Sequence, residues 1–331
     1  MRTKTQWFTI ALALAFLFTL PMYISEYWLQ FVIQAGITAV AVLGLHILMG
    51  LCGQVSIGQA AMMAVGAYAA AIFSTKAGLS GWLTLPLSGI TAGVVGLVFG
   101  APSLRIKGFY LAMSTLAAHF IIMWCLSSYD WFGGWIGIKV EPLTVGGIDF
   151  GDVVPLHFLT MVILIVMTVC AKNIQRSNLG RAFVAIRDNE RAAEVMGINL
   201  FQYKLLAFFL GCFYAGIAGW LWAQSQGHVN PEQFTLTDAV WFLGMVVIGG
   251  MGSTTGALFG TGALEFLDLG GDHLSRVLTR AYPGLGATFH AGFSWFLFGT
   301  VVLVFMLLEP RGLYHRWEML KSSYRSYPYA Y

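Results

Sequence analysis

Residue types that carry chemistry are scarce in this chain, and their spacing excludes more than it offers. The seven histidines show no HExxH or other close pairing, and no Ser, His and acid set stands out as a nucleophile site. No Gly-Lys dipeptide occurs, so the chain has no phosphate-cradling P-loop of its own. The cysteines (Cys52, Cys125, Cys170 and Cys212) lie in or beside apolar runs without metal-ligand spacing and read as small buried hydrophobes. No metal or other cofactor is expected. Glu265 is the one acid inside an apolar run, with Asp268 one turn on, and is expected near the outer surface. His46 and His119 fall in spans, where they could line a cavity or serve as packing residues.

Positive charge is concentrated. Lys172, Arg176, Arg181, Arg187, Arg191 and Lys204 fall in one stretch between two long apolar runs. Such a stretch is a loop at a membrane surface, normally the cytoplasmic one. Asp188 can cap a helix there, Glu190 falls in its first turn, and Gly197 stops it after Met196. Arg187, Arg191 and Glu194 then share one face, and Phe183, Ile186 and Ala193 another. Two readings fit: a solvated connector, or a docking helix for a soluble partner. Gln175 lies outside that helix and is expected to tolerate substitution.

The elements that position this loop follow from composition. Apolar residues make up 58% of the chain and charged residues 10%, against roughly 25% charged in a soluble domain. This is an integral membrane protein, at home in a lipid bilayer and not on nucleic acid. A span needs about 20 apolar residues. Charge-free runs place spans at 5–25, at two positions within 27–75, and at 77–104, 108–129, 153–171 and 205–231. Two short helices near 239–251 and 254–268 flank the GGMGSTTG break, and 281–308 holds the last span.

Ten spans with the N-terminus inside leave four Lys and Arg outside: Lys76, Lys139, Arg276 and Arg280. Nine would also expose Arg311, Arg316, Lys321 and Arg325. The positive-inside rule therefore favours ten. The expected fold is all-α, with about ten transmembrane helices, some short or broken, and both termini cytoplasmic. One transmembrane domain, 1–331, contains the 172–204 loop and ends in a short cytoplasmic tail, 309–331.

Two breaks resemble each other. Gly50 to Gly53 and Gly249, Gly250 to Gly252 both read G-x-x-G, both end an apolar run, and both precede a small-residue helix. Glycine-interrupted helices point to a transport pathway, and tight packing of glycines explains them equally well.

The run RDNERAAEVMGINLFQYKLLAFFLGCFYAGIAGWLWA (187–223) closely resembles permease subunits of bacterial branched-chain amino acid ABC transporters, the LivM-like branch. The stretches GLCGQVSIGQAAMMAVGAYAAA (50–71), LRIKGFYLAMSTLA (104–117), VVIGGMGSTTGALFGTGAL (246–264) and EPRGLY (309–314) resemble it too, in family order. The resemblance implies an ABC importer permease fold and a non-catalytic subunit. It further implies a second permease subunit in a heterodimer, two cytosolic ATPase subunits and a periplasmic substrate-binding protein at a bacterial inner membrane. It carries the ATPase-docking motif onto Ala192, Ala193, Glu194 and Gly197, beside Arg187, Asp188 and Arg191. The expected solute is a branched-chain or other hydrophobic amino acid, with urea, short amides or another small solute as the alternative. A stand-alone carrier or channel would need coupling residues that are nearly absent, and a membrane enzyme would need a nucleophile or metal cluster. Gln54, Ser56, Gln59, Ser114, Thr115 and His119 are candidate pathway residues. The outer loop carries Trp135-Ile136 where the family commonly has a small polar pair, an apolar surface for a partner or a plug.

Overall fold

The computed structural model describes residues 17–103, 108–145, 148–281, 287–309 and 312–326. Most of the expected first span, Arg105, Lys107, Arg311 and the chain end at 327–331 lie outside these residues.

Helix α1 (Glu26–Leu45) runs into a π-helical turn (His46–Leu51). An irregular stretch follows, then α2 (Gln59–Thr75), α3 (Gly81–Ser103), α4 (Phe109–Ser128) and α5 (Val153–Arg176). Two short helices, α6 (Asn178–Asp188) and α7 (Glu190–Val195), lead into the long α8 (Leu200–Gln226). The chain continues as α9 (Leu236–Gly249), α10 (Thr254–Ala281), α11 (Ala287–Leu308) and α12 (Leu313–Ser326). Between α4 and α5 lie β1 (Ile138–Lys139), β2 (Thr144–Val145) and β3 (Ile148–Asp149); β4 (His228–Val229) follows α8. β1 pairs antiparallel with β4, and β2 with β3.

Among the described residues, five helices are long and apolar enough to cross a membrane: α1 with its π turn, α3, α4, α5 and α8. They become six if α11 and α12, bent by 48° where they meet, count as one. The break after Leu51 and the pair of helices around Gly249–Gly252 stand where the charge pattern places them. The second helix of that pair does not end at 268. α10 carries on through Gly270-Gly271 to Ala281, with an Asp272–Arg276 pair at i, i+4 along it.

α8 is the packing hub, lying along α1, α2 and α3. Its buried Trp220 donates Nε1–H to Thr84 Oγ1 at 2.8 Å. α2 and α8 meet at Gly66 and Gly216, where a Cβ on Gly66 would sit 2.4 Å from the Gly216 Cα. Helices in lipid associate by such close backbone approach. Not all four cysteines are buried. Cys52 and Cys212 are, but Cys125 is half-buried and Cys170 is exposed on the surface of α5. An apolar environment outside α5 makes that arrangement harmless, and a buried-hydrophobe assignment cannot foresee it.

The bundle has two distinguishable ends. One holds the α5–α8 loop, both glycine breaks and the α11–α12 turn. The other holds the β1–β4 pair, with the Leu143 N–H donating to Gln224 Oε1 at 2.9 Å. Lys76 Nζ sits there too, 4.1 Å from the centre of the Trp131 ring. Trp135 and Ile136 project at that end, 69% and 83% exposed.

Candidate functional site

The helix-forming stretch of the basic loop is two helices, not one. Asn189, in extended conformation, separates α6 from α7 and caps α7 by accepting from the Ala192 N–H at 3.1 Å. Asp188 is therefore not the cap. It ends α6 and accepts from Arg187 Nε and Nη2 at 3.0 and 2.9 Å. The break also removes Arg187 from the face of Arg191 and Glu194, since Arg187 turns inward and donates Nη1–H to the Gly50 carbonyl at 2.9 Å.

α7 ends as its glycine requires. Gly197 has φ +83°. Its N–H bonds the Glu194 carbonyl at 2.9 Å, and the Ile198 N–H bonds the Ala193 carbonyl at 3.0 Å. That crossed pair is the Schellman stop, which satisfies carbonyls left open at a helix end. Glu190 pairs with Lys204 of α8, whose side chain is 4% exposed. Lys204 is thus a buried clip and not a surface charge of the loop. Phe183 and Ile186 of α6 are buried, and so is Ala193 of α7, although the break leaves them no common helical face. Ala193 accordingly faces this chain's own interior. The outward surface of the turn consists of Arg191, Ala192 and Glu194 with Val195 and Met196, which are 87% and 81% exposed. Two apolar side chains held so far out, on a turn fixed by a cap, a stop and an ion pair, form a rigid knob.

The two glycine breaks meet each other beside Arg187 of α6. A Cβ on Gly50 would lie 2.4 Å from the Met251 carbonyl oxygen. Gly53, at φ +73°, is backed by the stem of Arg187, and Gly312 lies against Gly250. Gln175, expected to be a bystander, bridges the end of α5 to the second break. Its Nε2 donates to the Gly252 carbonyl at 3.1 Å, and its Oε1 accepts from Thr254 Oγ1 at 2.7 Å.

The candidate pathway residues are placed otherwise. Gln59 donates Nε2–H to the carbonyls of Ala41 and Gly211 at 2.9 and 3.3 Å, stitching α1 to α8. Thr115 Oγ1 accepts from the Ile57 N–H at 3.0 Å, and Ser56 Oγ from the Gly58 N–H at 3.3 Å. Gln54 and His119 are buried and Ser114 is half-buried. None of the six lines the cavity of about 400 Å³ found between the helices.

That cavity reaches from Ala60 and Met63, near the start of α2, to Asp272 and Ser294. Trp222, Trp241 and Trp295 supply aromatic walls, with the Trp241 and Trp295 rings 5.5 Å apart and edge-on. Asp238, Glu265 and Asp268 face it as well, and its described lining holds no lysine or arginine. Asp238 is held by Thr235, whose N–H and Oγ1 donate to Oδ2 at 2.7 and 2.8 Å. Asp272 accepts from Ser294 Oγ at 3.2 Å. Glu265 lines this cavity together with Thr38, half-buried, toward the end of the bundle that carries β4, as Trp222 and Gln233 show. Aromatic walls with a few convergent polar groups, in a volume within the roughly 300–1,000 Å³ of small-molecule sites, suit a compact ligand carrying positive charge. The charge pattern alone could not find this space, because its residues come from six helices.

The family profile described as branched-chain amino acid transport system / permease component matches residues 27–308. The high-affinity branched-chain amino acid transport system permease protein LivM of Escherichia coli is 31% identical over 296 residues, covering 82% of this chain. The match spans 66% of the length of that relative, as it does for its Salmonella typhimurium counterpart. A probable branched-chain amino acid transport permease protein LivM of Methanocaldococcus jannaschii is 25% identical over 70% of this chain and 67% of its own. The autoinducer 2 import system permease protein LsrC of Yersinia pestis is 24% identical over 66% of this chain and 58% of its own. No solved structure matches.

Proposed function

Because this multi-pass membrane chain belongs to the branched-chain amino acid permease family, we propose that it is the permease subunit of an ABC importer. It would carry a branched-chain or other hydrophobic amino acid inward across the inner membrane while partner ATPases supply the energy. The observation that carries this reading is the Val195–Met196 knob, rigidly mounted at the same end of the bundle as both glycine breaks. A short helix presenting apolar side chains to water suits a groove on a soluble partner. Two cytosolic ATPase subunits would take it, with a second permease beside this one and a substrate-binding protein on the other face.

The proposed topology has ten spans, with the 172–204 loop, both termini and the 309–331 tail in the cytoplasm. The distribution of charge at the two ends supports it, since Lys76 and Lys139 lie at the end opposite the loop. The cavity supports the solute class. Carboxylates and indoles suit the ammonium end and apolar body of an amino acid, with its carboxylate turned away from Asp238, Glu265, Asp268 and Asp272, whereas urea and short amides bring no charge for Glu265 and Asp268 to meet.

The test is reconstitution with the partner subunits and the cognate binding protein in vesicles, following leucine and urea in parallel. ATP-dependent leucine uptake is expected. Urea uptake without leucine uptake would replace the solute, and leucine flux in the absence of ATPase subunits would overturn the importer.

A further inference from the structure

We propose that Gln175 and Arg187 are positioning residues that tie the α5–α8 loop to the two glycine breaks, so that displacing the loop moves both breaks together. The inference rests on the importer reading, because a partner ATPase is what would displace the loop. Each tether reaches a different break, one from the start of the loop and one from its middle. Arg187, at the end of α6, donates Nη1–H to the Gly50 carbonyl at 2.9 Å, and its aliphatic stem backs Gly53. Gln175, at the end of α5, holds the Gly252 carbonyl at 3.1 Å and the Thr254 hydroxyl at 2.7 Å. One amide thus clasps the last residue of the second break and the first of α10.

The breaks cannot drift independently. At Gly50 and Met251 their backbones touch so closely that a Cβ on Gly50 would overlap the Met251 carbonyl oxygen at 2.4 Å. Gly312, at φ +78°, presses on Gly250 from the far side, a Cβ there meeting the Gly250 nitrogen at 2.6 Å. The helix entering the first break is π-wound from His46 to Leu51, a wide turn that recurs at functional positions in helices. His46 is fully buried against Gly50, with neither ring nitrogen hydrogen-bonded. Each break keeps backbone bonds to its own helix, the Gly53 N–H to the Met49 carbonyl and the Gly250 N–H to the Val246 carbonyl, both at 3.1 Å, and the loop adds to each a polar anchor that differs for the two.

The experiment is hydrogen exchange followed by mass spectrometry on the whole importer, with and without a non-hydrolysed ATP analogue. In the wild type, nucleotide is expected to change exchange in segments 50–58 and 250–256 together. Arg187→Met, which keeps the stem but loses the donor, should blunt the response of 50–58 most. Gln175→Ala should blunt that of 250–256 most, each by about fivefold, as expected for the loss of one or two net hydrogen bonds. Thr254→Val, which removes only the hydroxyl donor, carries the second arm if Gln175→Ala does not reach the membrane. A merely structural role would alter exchange with and without nucleotide alike. ATPase subunits that bind while neither segment responds in the wild type would overturn the tether and leave the importer standing. Variants that respond like the wild type would overturn it too. Failure of the ATPases to bind the wild-type chain would overturn the importer reading itself.

Discussion

Replacing Gly197 with valine tests the knob through a single backbone angle. Gly197 has φ +83°, and nothing lies within 4 Å of the place a Cβ would take. Substitution therefore adds no clash, and the penalty is conformational. Holding an L-residue in the left-handed region costs roughly 1–2 kcal/mol, and more easily tolerated residues such as asparagine cost less. That energy falls on the two bonds closing the stop, Gly197 N–H to the Glu194 carbonyl at 2.9 Å and Ile198 N–H to the Ala193 carbonyl at 3.0 Å. Opening of the stop should become roughly 5- to 30-fold more frequent. Amide exchange at positions 197 and 198 should accelerate by that factor in Gly197→Val and much less in Gly197→Asn. Co-purification with ATPase subunits should weaken in the same order, while the amount in the membrane stays unchanged because α7 lies outside the spans. Equal behaviour of the valine and asparagine variants, or exchange in the valine variant no faster than wild type, would refute the reasoning.

Other consequences can be measured directly. Glu190→Gln should destabilise the loop by about 3–5 kcal/mol, because it strands the buried Lys204 charge; the combined Glu190→Leu, Lys204→Met variant should recover much of the loss, read as protease sensitivity of 172–204. Glu265→Gln should raise the leucine KM by roughly 10- to 100-fold through loss of a charge-assisted contact while leaving basal ATP hydrolysis unchanged; an unchanged KM would remove the cavity from the pathway. Changing both Trp135 and Ile136 to serine should weaken docking of the binding protein without lowering membrane insertion, and unaltered docking would leave them as lipid-facing side chains. Single cysteines at Ser177 and Tyr331 should resist a membrane-impermeant label applied outside intact cells; labelling of either would overturn the cytoplasmic assignment.

Local signals were legible in the chain and distant partnerships were not. Gly197 announced its stop because a glycine after a short polar helix has few other uses. The break after Gly50 showed because polar and glycine residues interrupt an apolar run. Asp188 and Asn189 are adjacent and both fit a cap, so composition could not say which turns out of the helix. Lys204 looked like a surface cation because its partner, Glu190, belongs to another helix. Gln175 looked like a bystander because Gly252 and Thr254 reach it only through folding. For the same reason Gln59, Ser56 and Thr115 suggested a pathway. Buried hydroxyls and amides in a membrane bundle must satisfy themselves somewhere, and here they do so on neighbouring backbone. Glu265 and Asp268 were visible in the chain, but their convergence with Asp238, Asp272 and three indoles is a property of packing.

The continuity of α8 has a thermodynamic corollary. Its 27 residues form an unbroken rod of about 40 Å. Its end nearest the loop is clipped to α7 through Lys204, and its far end is fixed by Gln224 and by β4, which pairs with β1. A body gripped at both ends cannot serve as a one-way transmitter. If docking at the outer face favours one setting of the rod, that setting favours docking at the loop by the same factor, and the reverse holds with equal force. The affinity of the binding protein should therefore depend on whether the ATPase subunits are seated, to the same degree that their seating depends on it.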